Sequence, residues 1–401
     1  MKILILSNKI PYPPKDGGSI ATLNLLKSLS NLGNKIVLLT MNTEKHYFEL
    51  EKLPLFFTKN IKTISVYVKA SINKKDALKN LFFSKLPYSA ERFFNKNYKI
   101  GLIKILKKEK FDIIQLEGLP LALYISIIRK YSASKISMRS HNIEDEIWER
   151  SSKMEKNIFK KFYLKILSKR IRNLEFKSLK KYDFLLPITK RDEKIFKKFE
   201  HKCKILVTPT GINSKELKPD FTKIKYPSIF HLGALDWLPN QEGLIWFFDK
   251  VWKNLIKKNP NLKFYLAGRN APDFIREKFK NIKNLIFLGE IKVAKDFINS
   301  HAIMIVPLFS GSGMRIKIIE GMALGKTIIT TSIGTEGINS THKKNILIAN
   351  SPKSFEKEIQ KVLDDKLLFQ EIGKNAIVFV KKNFDNENIA KKLMQFYKEN
   401  L

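Results

Sequence analysis

Residues 302–332 read "AIMIVPLFSGSGMRIKIIEGMALGKTIITTS", and this stretch decides the fold class. An apolar run at 302–309 is followed by a glycine-spaced turn and by a helix predicted from Met314 to about Gly325. A second apolar run follows at 327–332. A strand, a loop, a helix and another strand in this order are typical of a parallel sheet covered by helices, so the stretch predicts an α/β domain.

Short apolar runs of the same kind alternate with amphipathic stretches along the rest of the chain. A first series is "KILILS" at 2–7, "KIVLLT" at 35–40, "TISVYV" at 63–68, "FDIIQLE" at 111–117, "KISMRS" at 135–140, "YDFLLPIT" at 182–189 and "KILVTPTG" at 204–211. A second series is "SIFHLG" at 228–233, "KFYLAG" at 263–268, "NLIFLG" at 284–289, the two runs quoted above, and "NILIAN" at 345–350. Two such series predict two Rossmann-like halves.

The domain boundaries follow from the length and from one polar stretch. A chain of 401 residues suits two α/β domains. Residues 212–228 are polar and aperiodic and contain two prolines, as expected of a linker. We predict an N-terminal domain at 1–220, a C-terminal domain at 221–385, and a C-terminal helix at 386–401 that can pack back on the N-terminal domain.

The charge balance is strongly basic, with 75 Lys and Arg against 38 Asp and Glu and a formal net charge of +37. Such a charge favours anionic partners such as a membrane surface, nucleic acid or phosphorylated substrates. A compositional bias explains it equally well, because the lysines are spread over the whole chain. The basic amphipathic segment 153–181 can lie on an anionic leaflet, but we favour packing of its apolar side on the first domain.

Cysteine usage and apolar runs indicate the compartment. One cysteine, Cys203, cannot form an intramolecular disulfide, which indicates a reducing compartment. The first apolar run stops at Ser7 and lacks a cleavage site, so it reads as a strand and not as a signal peptide. No apolar run approaches the ~18–20 residues that span a bilayer. We expect a cytoplasmic protein, with the inner face of the plasma membrane as an alternative location and any membrane contact peripheral.

Two glycine-rich loops lead from predicted strands into predicted helices. Gly17 and Gly18 let backbone N–H groups approach an anion at a helix N-terminus. Arg315 and Lys317 stand in the first turn of the helix in the opening stretch, where the helix dipole disfavours cations unless an anion such as a diphosphate compensates them. Glu320 shares a face with Lys317, so it either pairs with Lys317 or accepts hydrogen bonds from ligand hydroxyls.

A third polar cluster follows the strand at 135–140. His141 and Asn142 stand at its end, where ligands bind in open α/β sheets, although a lone histidine is more often structural than catalytic. The carboxylates at 144–146 show no metal-ligand spacing, so we predict chemistry without a metal or other cofactor.

With these motifs in place, the chain resembles the GT-B glycosyltransferases, specifically the retaining family-4 type that builds bacterial surface polysaccharides. The resemblance covers nearly the whole chain and rests on the order of "PYPPKDGGSIATLNLLKSL", "FDIIQLEG", "SHNIEDEIWER", "YDFLLPITKRDE", "VTPTGIN", "HLGALDWLPNQEGLIWF", "FYLAGRN", "FLGEI" and "GSGMRIKIIEGMALGKTIITTSIGTEGI". It implies an α/β fold of two Rossmann-like domains facing across a cleft. It also implies a nucleotide-sugar donor bound mainly by the second domain and a glycan or lipid-linked acceptor bound mainly by the first.

The resemblance also assigns roles to individual residues. Glu320 matches the carboxylate that binds the donor ribose, Gly17 and Gly18 match the loop beside the diphosphate and the sugar, and His141 matches the histidine near the transferred sugar. We assign catalysis to His141, Arg315, Lys317 and Glu320. We assign donor binding to Gly17, Gly18, Gly233, Gly268, Gly311, Ser312, Gly313 and Met314.

Two departures from the family pattern concern the donor. The family's paired glutamates stand eight positions apart, and Ser312 occupies the first position here. Many members carry an Arg and a Lys after the first strand of the second domain, where this chain has Ala234 and Asp236, which cannot neutralise a diphosphate. We infer that Arg315 and Lys317 supply the counter-charge to the leaving group.

Two other functions remain open from the sequence. A nucleotide-sugar epimerase of GT-B shape would use the same donor and no acceptor. A basic membrane-binding or nucleic-acid-binding protein would use the charge alone, but no nucleic-acid fold motif is present, so we predict no nucleic-acid partner.

Overall fold

A computed structural model describes residues 1–14, 16–311 and 313–401. The chain divides into two compact units, the first comprising Met1–Thr210 with Ile389–Leu401 and the second comprising Gly211–Asn388. Each unit is a parallel sheet flanked by helices, and each of the thirteen predicted strands overlaps one strand of the described chain. The predicted α/β class is therefore confirmed.

The first unit holds a seven-stranded sheet in the order β3-β2-β1-β4-β5-β6-β7, with every pair parallel. Its strands are β1 (Lys2–Ser7), β2 (Lys35–Thr43), β3 (Ile61–Val68), β4 (Ile113–Glu117), β5 (Lys135–Ser140), β6 (Phe184–Pro187) and β7 (Lys204–Ile205). Its helices are α1 (Gly17–Asn31), α2 (Leu55–Asn60), α3 (Lys74–Phe83), α4 (Tyr88–Glu91), α5 (Lys96–Lys108), α6 (Ile125–Tyr131), α7 (Glu144–Met154), α8 (Ile158–Ser178) and α9 (Lys190–Phe196).

The central strand β1 and the helix α1 show how the local sequence determines burial and helix boundaries in this unit. Residues 3–6 of β1 are all apolar and almost fully buried, as expected for a parallel strand that is covered on both faces. Helix α1 begins after Asp16, whose carboxylate accepts a hydrogen bond from the Ser19 amide at 2.9 Å and so caps the helix. Lys9 Nζ contacts the same carboxylate at 2.6 Å.

The second unit holds a six-stranded parallel sheet in the order β10-β9-β8-β11-β12-β13. Its strands are β8 (Lys225–Leu232), β9 (Phe264–Ala267), β10 (Leu285–Gly289), β11 (His301–Val306), β12 (Thr327–Thr330) and β13 (Leu347–Ile348). Its helices are α10 (Leu238–Phe247), α11 (Lys253–Lys258), α12 (Asp273–Phe279), α13 (Ala294–Asn299), α14 (Ile316–Ala323), α15 (Pro352–Asp364) and α16 (Lys366–Asn383), and α17 (Asn386–Asn400) ends the chain.

The boundary between the units lies between Thr210 and Gly211, not after residue 220 as the polar stretch predicted. The reason is that the start of this stretch is bound to the second unit. Ile212 is buried and pairs with Asp385, and the Ile212 amide donates to the Phe384 carbonyl at 2.8 Å. The polar stretch 212–228 is therefore not a free linker, although its low hydropathy predicted one.

Most of the C-terminal helix belongs to the first unit. Ala390, Leu393, Met394 and Tyr397 of α17 are buried in the same apolar cluster as residues of β1 and α1. These residues are spaced three or four apart, so they form one face of the helix. The face they bury is the reason why Ile389–Leu401 groups with a sheet that lies far away in sequence.

The basic segment 153–181 is not one continuous helix. Helix α7 ends at Met154, and Asn157 caps the start of α8 by accepting a hydrogen bond from the Lys160 amide at 3.0 Å. The apolar residues of α8 divide between core and surface, because Ile171 is buried whereas Ile158 and Phe162 are exposed. No helix among the described residues is long and apolar enough to cross a membrane.

Candidate functional site

Several of the described residues predicted to form the site in the second unit lie at the carboxyl end of its sheet. Lys317, in the first turn of α14, sends its ammonium group to the loop that follows β8. Its Nζ lies 2.8 Å from Asn240 Oδ1 and 3.3 Å from His231 Nε2. The alternative of a simple Lys317–Glu320 pair is therefore not what the structure shows. Lys317 therefore places its ammonium group beside Gly233, just after the first strand of the second unit.

His231 is a buried acceptor for that ammonium group. Its Nδ1–H donates to the Ile305 carbonyl at 2.8 Å, which leaves the Nε2 lone pair for Lys317. Burial, and then the positive charge of Lys317, hold the pKa of His231 well below its usual value. A neutral imidazole is the form that can accept a hydrogen bond from an ammonium group.

Burial shifts both charged groups of α14 toward their neutral forms. Burial and then the neighbouring Arg315 lower the pKa of Lys317 to about 7. Burial alone raises the pKa of Glu320 to about 7, and the Glu320 carboxyl has no hydrogen-bond or ion-pair partner among the described residues. A half-buried acid and a half-buried amine that shift in opposite directions on one helix are typical of a binding site.

Arg315 is bound to the glycine loop that precedes α14. It is the residue just before the helix, one position earlier than the first turn that the sequence predicted. Its Nη1 donates to the Gly313 carbonyl, and its guanidinium lies 5.7 Å from the centre of the Trp237 ring. Gly311 and Gly313 both have positive φ, of 100° and 81°, which explains the two glycines.

Two further residues of this stretch, Met314 and Ser312, were predicted to bind the donor. Met314 is partly buried against the apolar cluster that contains α14. The predicted donor-binding residue Ser312 lies outside the described residues.

The two glycines predicted to bind donor at strand ends differ in their surroundings. A Cβ on Gly268 would stand 1.9 Å from the Gly233 carbonyl oxygen, so close packing of two backbones explains Gly268 without any ligand. A Cβ on Gly233 would meet Lys317 Nζ and Asn240 Nδ2, each at 2.9 Å. Gly233 therefore makes room for the ammonium group.

We expect alanine at these two glycines to have different consequences. Gly268→Ala forces a backbone shift and should lower the free energy of unfolding by about 1–3 kcal/mol. The three atoms nearest to a Cβ on Gly233 all belong to side chains, one of them the buried His231 ring, so Gly233→Ala should cost less stability than Gly268→Ala while weakening nucleotide binding several-fold. Thermal melts with and without nucleoside diphosphate measure both effects, and equal loss of stability in the two variants would contradict this distinction.

In the first unit, the predicted residue His141 lies beside a buried carboxylate that sequence reasoning missed. His141 Nε2 is 3.0 Å from Glu117 Oε2, and Thr22 Oγ1 donates to the same oxygen at 3.0 Å. Gln115 Nε2 donates to the other oxygen, Oε1, at 2.5 Å. Arg139 Nη1 lies 3.6 Å from Glu117 Oε2. Burial opposes ionisation of Glu117, but Arg139, His141 and Gln115 together lower its pKa to about 2.

The sheet register explains why these polar groups meet. Glu117 of β4 lies directly opposite Arg139 of β5, and Gln115 lies opposite Ser137. Tyr397 Oη, from α17, is 3.0 Å from Gln115 Oε1 and 2.8 Å from Ser137 Oγ. The signal in the sequence was the alternation of polar and apolar residues, with Gln115 and Glu117 in "IIQLE" and Ser137 and Arg139 in "KISMRS".

A cavity of about 690 Å³ opens above this cluster at the carboxyl end of the first sheet. Its walls include Gly18, Thr22, Glu117, His141 and Trp148. The carboxyl end of a parallel sheet is where α/β proteins bind ligands. The cavity is therefore the candidate ligand site of the first unit, and His141 is exposed to it.

The structure qualifies the predicted role of the Gly17–Gly18 pair. Asp16 already caps the N-terminus of α1 and is paired with Lys9, so a carboxylate occupies part of the place where a ligand anion was expected. A Cβ on Gly17 would meet nothing within 4 Å, so packing does not require glycine there. Gly18 lines the cavity, beside Lys9.

Within residues 1–14, 16–311 and 313–401, no three His, Cys, Asp or Glu side chains are grouped as a metal site requires. Independence from metals stays a prediction.

Comparison with solved structures identifies the architecture. The chain is similar to a sucrose-phosphate synthase from Thermosynechococcus elongatus, with a TM-score of 0.70, 15% identity, and coverage of 100% of this chain and 99% of that one. It is similar to Anabaena HepE in complex with UDP, with a TM-score of 0.68, 12% identity and full coverage of both chains. These matches confirm the predicted GT-B fold.

Sequence comparison identifies the class of enzyme. Residues 226–365, most of the second unit, match the family described as "Glycosyl transferases group 1". The chain is a glycosyltransferase. A relative of this glycosyltransferase, described as an uncharacterized 44.6 kDa protein in the cps region of Klebsiella pneumoniae, is 27% identical over the full length of both chains. A further structure, the pneumococcal O-GlcNAc transferase GtfA in complex with UDP and GlcNAc, has a TM-score of 0.67 and 12% identity and covers 100% of this chain and 99% of that one.

Proposed function

We propose that this glycosyltransferase moves a sugar, with retention of anomeric configuration, from a nucleotide-sugar donor to a glycan or lipid-linked acceptor of cell-surface polysaccharide synthesis. The second unit binds the donor, and the first unit binds the acceptor. Support comes from the cps-region relative and from the UDP complexes of HepE and GtfA. We further propose that the enzyme acts in the cytoplasm, at the inner face of the plasma membrane, without a metal or other cofactor.

The observation that carries the proposal is the arrangement around α14. Lys317, whose ammonium group contacts Asn240, lies three residues before Glu320 on α14, and the Glu320 oxygens accept no hydrogen bond from the described residues. A nucleotide-sugar satisfies both groups, because its diphosphate supplies an anion and its ribose supplies hydroxyl donors. Free phosphate or a free sugar satisfies only one of them.

The chemistry requires stabilisation of a departing diphosphate. The bond between the sugar's anomeric carbon and the diphosphate oxygen breaks, and a bond to the acceptor oxygen forms on the same face. The acceptor hydroxyl proton passes to the departing diphosphate, so no dedicated protein base is needed. Lys317 and Arg315 supply positive charge where the negative charge develops, which is the main source of catalysis in such a step.

His141 acts on the transferred sugar in this proposal. Glu117 accepts a hydrogen bond from Nε2 and fixes the orientation of the imidazole ring in the first-unit cavity. An oriented imidazole can position and polarise a sugar hydroxyl. Glu117 is thus a positioning residue that acts through His141.

Nucleotide binding is the first test of the proposal. UDP, GDP and ADP are compared for the rise in melting temperature, because a ligand that binds the native state stabilises it. The enzyme is then incubated with sugar nucleotides that carry the base giving the largest rise in melting temperature, with and without glycan acceptors. Conversion of the donor without any acceptor would indicate an epimerase and overturn transfer. Failure of all three nucleotides to shift the melting temperature would overturn the donor assignment.

Two further measurements test whether the reaction retains the anomeric configuration and whether it needs a metal. The anomeric configuration of the product, read by NMR, must equal that of the donor if the reaction is retaining. Turnover must persist in the presence of a chelator if no metal takes part. An inverted product, or full loss of turnover that added divalent cation restores, would contradict these parts.

Proton uptake on nucleotide binding tests the state of Lys317. Its pKa of about 7 in the free protein means that it is mostly neutral at pH 8, and a bound diphosphate raises that pKa by favouring the ammonium form. We expect uptake of up to about one proton per site at pH 8, and affinity that falls as pH rises above 7. Calorimetry in two buffers of different ionisation enthalpy measures the uptake. Lys317→Met should abolish it, and equal uptake in that variant would contradict the assignment.

A further inference from the structure

Helix α8 presents an apolar stripe to solvent on the side opposite its core contacts. Leu164, Leu167 and Ile171 are buried in the first unit. On a helix of about 3.6 residues per turn, Ile158, Phe159 and Phe162 point the other way, and Phe159 is 84% exposed. Packing within the first unit therefore does not account for these three residues.

Helix α3 lies against α8 and carries a second set of exposed apolar residues. Arg170 Nη2 of α8 donates to the Leu81 carbonyl of α3 at 2.7 Å, and Ala77 packs against the buried face of α8. On α3, Phe82 and Phe83 are exposed, with Phe83 at 85%. Exposed aromatic residues on two adjacent helices are characteristic of an interaction surface.

A stripe of lysines runs beside the apolar stripe of α8. Ile158, Phe162 and Ile166 recur every fourth residue, and so do the exposed residues Lys161, Lys165 and Lys169. Each lysine follows an apolar residue by three positions, so the two stripes are neighbours on the helix surface. Over residues 158–178 there are seven Lys and Arg and one Glu.

We propose that α8 and α3 form a membrane-binding surface that lies in the headgroup region of an anionic phospholipid bilayer. Apolar side chains flanked by lysines are the pattern of helices that lie in the interface plane, where aliphatic stems stay among apolar groups while ammonium groups reach phosphates. A second copy of the chain is a poor occupant, because a two-fold contact would oppose identical lysine stripes. This surface deepens the proposed transfer to a lipid-linked acceptor by bringing the first unit to the bilayer.

Vesicle binding without donor or acceptor tests this surface separately from the proposed reaction. The full chain is sedimented with phosphatidylcholine vesicles that contain about one third phosphatidylglycerol, and with pure phosphatidylcholine vesicles. We expect binding to the anionic vesicles that weakens with added salt. Phe159→Ser/Phe162→Ser and Lys161→Gln/Lys165→Gln/Lys169→Gln should each reduce the partition coefficient at least tenfold.

Matched changes on α16 of the second unit are the controls. Leu367→Ser/Val378→Ser removes two exposed apolar side chains, and Lys374→Gln/Lys381→Gln/Lys382→Gln removes three exposed charges. Both controls should bind anionic vesicles as the parent chain does, and all variants should keep the parent melting temperature.

Several outcomes would overturn the proposal that α8 and α3 bind a membrane. The parent chain failing to bind vesicles is one such outcome. An equal loss of vesicle binding in the α16 control variants is another. Binding to DNA that depends on the three lysines but not on Phe159 and Phe162 would indicate a general polyanion surface. A dimer that the serine variant dissociates, without vesicle binding, would indicate self-association.

Discussion

Replacing Lys317 by methionine is expected to lower kcat/KM for sugar transfer roughly thirty- to a thousand-fold. This corresponds to a loss of about 2–4 kcal/mol of transition-state stabilisation. The ammonium group is the cation that the structure places at the loop after β8, in contact with Asn240 and His231. Methionine retains the length of the side chain and removes the charge that meets the leaving diphosphate. The loss should appear in both kcat and KM, because the same ammonium group binds the donor diphosphate and meets the charge that develops as the diphosphate leaves. Arg315→Ala should cost a similar amount.

A second buried lysine provides the control for this change. Lys326, the residue before β12, is fully buried, and its Nζ donates to the Asn299 carbonyl at 3.1 Å. It lies at the amino end of its strand, whereas Lys317 reaches the carboxyl end of β8. Lys326→Met removes a more deeply buried lysine outside the candidate site, so its kcat/KM should stay within a few-fold of the parent value. Donor turnover that survives Lys317→Met within a few-fold would show that the counter-charge assignment is wrong.

Replacing Glu117 by glutamine is expected to destabilise the first unit by about 3–5 kcal/mol. The change conserves size but leaves Arg139, which is 1% exposed, without its buried counter-charge. For a unit of this size, that loss corresponds to a fall in melting temperature of roughly 6–20 °C. Hydrogen exchange measured by mass spectrometry separates the response of β4 and β5 from that of the second unit. Activity should fall as well, because His141 loses the acceptor that orients it.

Two variants separate the loss of a buried pair from the loss of a carboxylate. Glu200→Gln removes a carboxylate from an exposed pair with Lys180, and such pairs contribute roughly 0–1 kcal/mol. Glu117→Gln/Arg139→Met removes both buried charges and should recover much of the stability without restoring activity. If Glu117→Gln were no more destabilising than Glu200→Gln, the buried cluster would not be the stabilising element inferred here.

Sequence periodicity was sufficient for the architecture because it is a local property. A strand buried on both faces must be a short apolar run, and "KILILS" and "AIMIVPLF" are such runs. The spacing of Arg315, just before α14, from Lys317 and Glu320 on that helix is also local, so the sequence could single them out. The glycines at 311 and 313 were predictable for the same reason, since their positive φ belongs to the turn itself.

The partners of these residues depend on long-range packing, and only the tertiary structure decided them. Lys317 faces His231 across 86 positions of sequence, and Tyr397 reaches Gln115 across 282. Parallel strands meet through crossovers, so no local pattern states which side chains become neighbours. The same limit applies to burial, which brings the pKa of Lys317 and that of Glu320 both to about 7. The sequence by itself determined which elements form and which residues carry charge. Tertiary packing decided which charges are desolvated and which of them are left for a ligand, because desolvation depends on atoms contributed by the whole unit.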